Sequence, residues 1–331
     1  MENSKKFRPD PGLRLMDQVR QVLRYHHYAY RTEQTYCDWI KRYIHYHGAK
    51  THPRKMGKRE IEAFLSHLAV QQNVAAATQR QALNAIVFLY KKVLNIPVDE
   101  NLDPVRAKKY RRPPVVMSQR EVSIVLEHMQ GLHLLMAKLL YGGGLRLMEC
   151  IRLRIRDLDF ERRLIYVRAA KGGKDRITLF PESLHPLMQN QVASVEKLHQ
   201  QDLADGFGDV YLPNALARKY PNAPKSFGWQ YVFPSKKRSR DPRSEKTRRH
   251  HVLESGLQKA VKAAVNRAGL TKPVSCLTFR HSFAMHLLEN GVNIRVVQEL
   301  MGRADVKATE IYTHVMEKDI TVVQSPLDRL I

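Results

Sequence analysis

Thr278-Phe-Arg-His-Ser-Phe-Ala-Met-His286, continued through Leu300-Met-Gly-Arg-Ala-Asp305 to Thr309-Glu-Ile-Tyr-Thr-His314, sets Arg280 among apolar residues and Tyr312 on a short element close behind it. The stretch reads as short, closely linked helices that carry a guanidinium and a phenol toward one point. Such a pairing is one way to cut a nucleic-acid backbone without a metal. Arginine's rigid fork grips two phosphate oxygens, and a phenolic oxygen can replace the backbone oxygen in a covalent intermediate. On spacing alone the same residues also read as an ion-pair partner and a core-edge aromatic.

The charge of the chain fits an anionic partner. In 331 residues, 56 Lys and Arg stand against 32 Asp and Glu, a net +24. Residues 1–115 carry +12 of it and residues 116–331 the other +12 on nearly twice the length, so the N-terminal part is the denser cation. The length suggests two domains. Cys37, Cys150 and Cys276 stand far apart and read as reduced thiols of a cytoplasmic protein, neither a disulfide framework nor a zinc site. His26-His27, His45-x-His47 and His250-His251 lack companions at metal-ligand spacing, so no metal and no other cofactor is expected. No run reaches the length of a membrane span, and no membrane partner is expected.

Residues 1–105 read as four amphipathic helices, with stripes at Leu15, Val19, Val22 and Leu23; at Tyr36, Ile40, Tyr43 and Ile44; at Ile61, Phe64, Leu65 and Leu68; and at Ala82, Ile86, Leu89 and Val93. A small bundle follows, with Arg20, Arg24, Arg31, Lys41, Arg42, Lys55, Lys58 and Arg59 between the stripes as a group of phosphate contacts. Residues 106–117 form a linker, whose Arg106-Ala-Lys-Lys-Tyr-Arg-Arg-Pro-Pro114 is basic and barred from helix by its double proline. Ser118-x-x-Glu121 is a capping box. Leu139-Leu-Tyr-Gly-Gly-Gly-Leu-Arg-Leu-Met-Glu149 ends one helix and starts the next at Arg146. Residues 164–168 and 176–180 alternate as strands of a hairpin whose glycine turn carries Lys171. A long helix from Pro181 to Asp205 precedes a proline-punctuated region at about 206–251, and another helix runs from Val252 to Ala268. Between Lys236 and His251 eight basic residues face two acidic ones.

These motifs, in this order, resemble the tyrosine recombinases of the phage-integrase family over almost the whole chain. Ala215-Leu-Ala-Arg-Lys-Tyr-Pro221, Gly228-Trp-Gln-Tyr-Val-Phe-Pro-Ser235, Asp241-Pro-Arg-Ser244 and Arg248-Arg-His-His251 resemble the insertion that distinguishes integron integrases. The resemblance implies a mainly α (α+β) fold: a helical core-binding (SAM-like) domain at 1–105 and a mostly helical catalytic domain at 118–331 with a small antiparallel sheet. It implies site-specific breaking and rejoining of DNA through a 3′-phosphotyrosine. Tyr312 matches the nucleophile, Arg146 and Arg280 the phosphate clamp, and Lys171 the general acid on a hairpin that enters the minor groove. Glu149 matches a family acidic residue. Trp229, Pro242, His250 and His251 match positions that pack on bases flipped out of a folded single-stranded site, with a structural role for Trp229 as the competing reading. The partners implied are duplex DNA, folded single-stranded sites and further copies of the chain in a tetramer on DNA, with Leu327, Leu330 and Ile331 as tail hooks.

Two positions depart from the family pattern. Leu277 stands where a histidine is expected, and Arg303 where histidine or tryptophan follows Leu-x-Gly. Leucine can neither take the phenol proton nor bond a phosphate, whereas Arg303 can still donate to a phosphate oxygen; lost acid/base help costs roughly 10²–10⁴-fold. Two readings of different class stand side by side: a recombinase with impaired strand transfer, and a decayed relative that binds and bridges DNA without cutting it. A type IB topoisomerase shares the chemistry, but the insertion argues against it.

Overall fold

The first three apolar stripes of the N-terminal region lie on α1 (Leu15–Tyr25), α2 (Tyr30–Tyr46) and α3 (Lys58–Val70), and the fourth begins on α4 (Ala76–Phe88) with Ala82 and Ile86 and runs past its end at Leu89 and Val93. The computed structural model describes residues 7–99, 101–108, 113–168, 175–212 and 214–302. Val22, Ile40, Leu65 and Ile86 meet in one core, and the turns after α4 widen into a π-helical stretch, Leu89–Leu94, that Asn95 closes with φ 53°. Tyr43 and Tyr90 place two hydroxyls inside this core; they bond each other at 2.9 Å, and Tyr90 donates on to the Pro53 carbonyl at 3.0 Å. Buried polar groups are tolerated when paired in this way. Among the basic residues read as phosphate contacts, Arg20 pairs with Asp17, Arg24 with Glu33 and Lys58 with Asp99. The pairs of Arg20 and Lys58 are solvent-accessible and weak enough to be exchanged for a phosphate, whereas Arg24 neutralises the fully buried Glu33.

The chain divides into two units, Met1–Arg112 and Pro113–Ile331. In the second, Ser118 caps α5 (Gln119–Glu127): its Oγ accepts from the Glu121 N–H at 3.2 Å, while Glu121 accepts from the Ser118 N–H at 2.7 Å. The apolar helix α6 (Gly131–Gly142) follows, then the single-turn α7 (Leu147–Ile151). A three-stranded antiparallel sheet comes next, in order β1 (Leu158–Asp159), β2 (Leu164–Val167) and β3 (Arg176–Leu179), with Ile165 opposite Thr178. Ile165 and Val167 face the core, as their alternation requires. Strand β1 lay outside the sequence expectation, because two residues carry no period.

The long α8 (His185–Ala204) leads into the proline-punctuated region, where α9 (Asn214–Lys219) and a two-residue ribbon of β4 (Ser239–Arg240) and β5 (Thr247–Arg248) stand. The chain then returns through α10 (Glu254–Arg267), α11 (Cys276–Glu289) and α12 (Ile294–Met301). Apolar residues of α5, α6, α10 and α11 share one core, among them Val125, Met136, Leu257 and Phe279. Cys37, Cys150 and Cys276 are buried thiols. Among the described residues no helix is long and apolar enough to cross a membrane.

Candidate active site and nucleic-acid interface

Glu149 gathers three guanidiniums from three separate elements. Arg146 sits at the N-cap of α7, its backbone N–H on Glu149 Oε2 at 2.8 Å and its Nη1 on Oε1 at 2.7 Å. Arg176, the first residue of β3, donates Nη1 to Oε1 at 2.9 Å and Nη2 to Oε2 at 2.8 Å. Arg280, in the first half of α11, holds Nη1 at 3.7 Å from Oε2. Burial alone would raise the pKa of the Glu149 carboxyl. The hydrogen bonds and charge of Arg176, with those of Arg146, override it and hold the group at about 2.

Backbone carbonyls complete the cluster. Arg280 is 1% exposed and donates to the carbonyls of Gly144 and Met301. Arg176 donates Nε to the carbonyl of Leu300 at 2.9 Å. Two cations therefore meet the last carbonyls of α12, where the helix dipole is negative. Gly144 makes the approach of α11 possible: its φ is +57°, and a Cβ there would stand 2.4 Å from the ring of Phe283. Gly302 serves Arg176 in the same way, with φ +58° and the arginine Cδ 2.6 Å from where a Cβ would be.

Arg146, Glu149 and Arg280 are thus brought together. Lys171, Arg303 and Tyr312 lie outside the described residues, as do the tail residues Leu327, Leu330 and Ile331. Leu277 lies on the first turn of α11 and is 54% exposed. Arg176 was missed. An arginine opening a strand directly after Lys-Asp reads as solvated, and its burial comes from a tertiary pairing that carries no local signal.

The base-contact candidates form a second cluster. Trp229 is half-buried, with the guanidiniums of Arg156 and Arg154 over its ring at 4.2 and 5.6 Å. Arg154 also lies 4.5 Å over Tyr231, and Tyr231 meets His251 edge-on at 5.3 Å, so Trp229 and His251 are joined through a cation and a second aromatic. Pro242 is exposed in the turn between β4 and β5. Asp241 fixes that turn by accepting the N–H groups of Arg243 and Ser244 at 2.9 Å each, and lies 3.9 Å from His250. Burial lowers the pKa of His250 against the pull of Asp241, and that of His251 against its bond to the Val252 carbonyl. Both rings are therefore biased toward the neutral form, which stacks without the cost of burying charge. Asp202 of α8 anchors the region by accepting from Arg249 at 2.7 Å and Arg238 at 3.2 Å. Arg154 and Arg156 were not read as part of this surface, because nothing in sequence links them to Trp229.

Comparison with known proteins agrees with both parts of the chain. Residues 15–100 match the phage integrase N-terminal SAM-like domain, and residues 116–319 match the phage integrase family. The chain belongs to that family, the tyrosine recombinases, whose reaction is site-specific DNA recombination. An "Integrase/recombinase" of Escherichia coli is 45% identical over 97% of this chain and 95% of its own length. The tyrosine recombinase XerD of Agrobacterium fabrum is 30% identical over 78% of this chain and 76% of its own. Among solved structures, the XerH site-specific recombinase bound to its difH substrate, in a pre-cleavage complex, shares the fold with a TM-score of 0.59. It is 18% identical, over 98% of this chain and 92% of that one.

Proposed function

We propose that the protein is an integron integrase-like recombinase that integrates and excises gene cassettes at folded single-stranded DNA sites, working as a tetramer on DNA. Tyr312 gives up its phenolic proton to water and attacks a phosphodiester, forming its bond to phosphorus as the bond to the sugar 5′ oxygen breaks. Lys171 gives a proton to that departing oxygen, and a hydroxyl of a partner strand later reverses the step on the 3′-phosphotyrosine. Charge accumulates on the non-bridging oxygens, so preorganised cations lower the barrier most. Arg146, Arg280 and Arg303 are assigned that task. The convergence of Arg146 and Arg280, from distant parts of the chain, on one carboxylate carries this reading.

The integron assignment is supported by the surface around Trp229. Guanidiniums, an indole and two histidines biased toward neutrality, braced by the buried ring of Tyr231, offer faces on which any base can stack. A second reading has its own observation in Leu277, an exposed apolar side chain one turn before Arg280 that can accept no proton. In that reading the protein binds and bridges DNA without efficient strand transfer.

Covalent capture on a folded single strand, compared with a duplex of the same sequence, tests the proposal. The folded strand is expected to yield the adduct at least ten times faster. Equal yields would remove the integron assignment and leave a duplex recombinase.

A further inference from the structure

Arg176 has no role in the reaction as set out above, yet all three of its donor nitrogens are engaged within the guanidinium cluster and its surroundings. Its side chain is 6% exposed, against 28% for Arg146, and is enclosed by Glu149 and the end of α12. It occupies both oxygens of Glu149 and reaches the Leu300 carbonyl with its third donor. Its seat is shaped by the chain itself, since a Cβ at position 302 would stand 2.6 Å from its Cδ and force the side chain to shift.

We infer that Arg176 is a positioning residue. It keeps the Glu149 carboxylate turned and neutralised, so that Arg146 and Arg280 present net positive charge to the scissile phosphate, and it ties β3 to the end of α12. Three guanidiniums and one carboxylate leave a net +2 around the site. Without Arg176 the balance falls to +1, and a carboxylate with one fewer partner stands beside a bound phosphate, where like charges repel. Lysine would restore the charge but not the fork that covers both oxygens. The tie to Leu300 also couples the strand that follows Lys171 to the helix that precedes Arg303 and Tyr312 in the chain. The inference rests on the recombinase reading for its phosphate, and its test separates the two.

The experiment uses the full chain with R176M, R176K, E149Q, R176M/E149Q and, as a control for bulk charge, R176M/E161Q, Glu161 being exposed. Two quantities are read: Tyr312-dependent adduct on a nicked DNA substrate, and affinity for the uncut duplex. R176M is expected to slow adduct formation at least a hundredfold and weaken binding about tenfold, with R176K intermediate. Removing the Glu149 charge in R176M/E149Q should recover at least tenfold of the lost rate and most of the lost affinity, whereas R176M/E161Q recovers neither. A double variant no better than R176M, or an R176M indistinguishable from wild type, overturns the inference. Should R176M fail to fold, R176K and R176K/E149Q carry the same comparison. If wild type forms no adduct, strand transfer is what fails, and the affinity series still decides the role of Arg176.

Discussion

Arg176 meets Glu149 end-on, Nη1 on Oε1 at 2.9 Å and Nη2 on Oε2 at 2.8 Å, with the carboxylate side chain 10% exposed. Two parallel charge-assisted bonds in such a setting fix orientation as well as charge. Around this pair backbone carbonyls accept from two of the guanidiniums, Leu300 from Arg176 and Gly144 and Met301 from Arg280.

A pH dependence of stability follows. The Glu149 carboxyl, ordinarily near 4.5, is held at about 2 in the folded chain, so the folded state binds fewer protons than the unfolded one between those values. The stabilisation is complete above pH 4.5 and is lost as pH falls toward 2. E149Q lacks it, and should be less stable than wild type at pH 7 by on the order of 2–3 kcal/mol. Urea unfolding at pH 7, 4 and 3 should show that gap closing as acid is added. A gap independent of pH would mean that the carboxylate is not held by its charge.

Two glycines separate backbone strain from crowding. Gly144 and Gly269 both have positive φ, +57° and +67°, but a Cβ at Gly269 meets open space whereas one at Gly144 meets Phe283 at 2.4 Å. G269A should cost about 1 kcal/mol and G144A about 2 kcal/mol more, as α11 is pushed from its seat. Thermal melting of both variants checks the difference; equal losses would show that α11 yields without resistance.

At Leu277 the expectation is a gain. The side chain is 54% exposed, so L277H should leave stability within about 0.5 kcal/mol. A proton acceptor restored there should raise adduct formation by roughly 10²-fold or more. Single-turnover rates on a nicked substrate provide the readout, and an unchanged rate would locate the limiting defect elsewhere.

For Trp229 the two DNA forms should part company. Stacking a base on an aromatic ring is worth about 1–3 kcal/mol, so W229A should bind a folded strand roughly 10- to 100-fold more weakly while keeping its duplex affinity. Fluorescence anisotropy with both ligands decides it. Equal losses on both would make Trp229 a structural support for Arg154 and Arg156.

The parts of this molecule that announce themselves locally were legible in sequence. The stripe Ile61, Phe64, Leu65 and Leu68 became a helix face, the Ser118–Glu121 pair became a cap, and the glycine run placed Arg146 at a helix start. Arg280 reads as buried among Phe279 and Phe283, but only the resemblance to the family's motif singles it out from an ordinary ion-pair partner. What holds it is not legible in sequence, since the carbonyls of Gly144 and Met301 are supplied by folding alone. The same holds for Arg176 on Glu149 and for Arg154 and Arg156 on Trp229: each is a long-range meeting of a residue whose own neighbourhood looks solvated. The ribbon of β4 and β5 is too short to impose a period, so its region read as irregular.

The central claim is that paired arginines prepare a phosphate for attack by Tyr312, and trapping the covalent intermediate tests it most directly. Wild-type protein and Y312F are incubated with a nicked suicide substrate and resolved under denaturing conditions. The account predicts a protein–DNA adduct with wild type and none with Y312F, while both shift the DNA equally in a native gel. Equal shifts with no adduct from either protein would contradict it, and would leave a protein that grips DNA without cutting it.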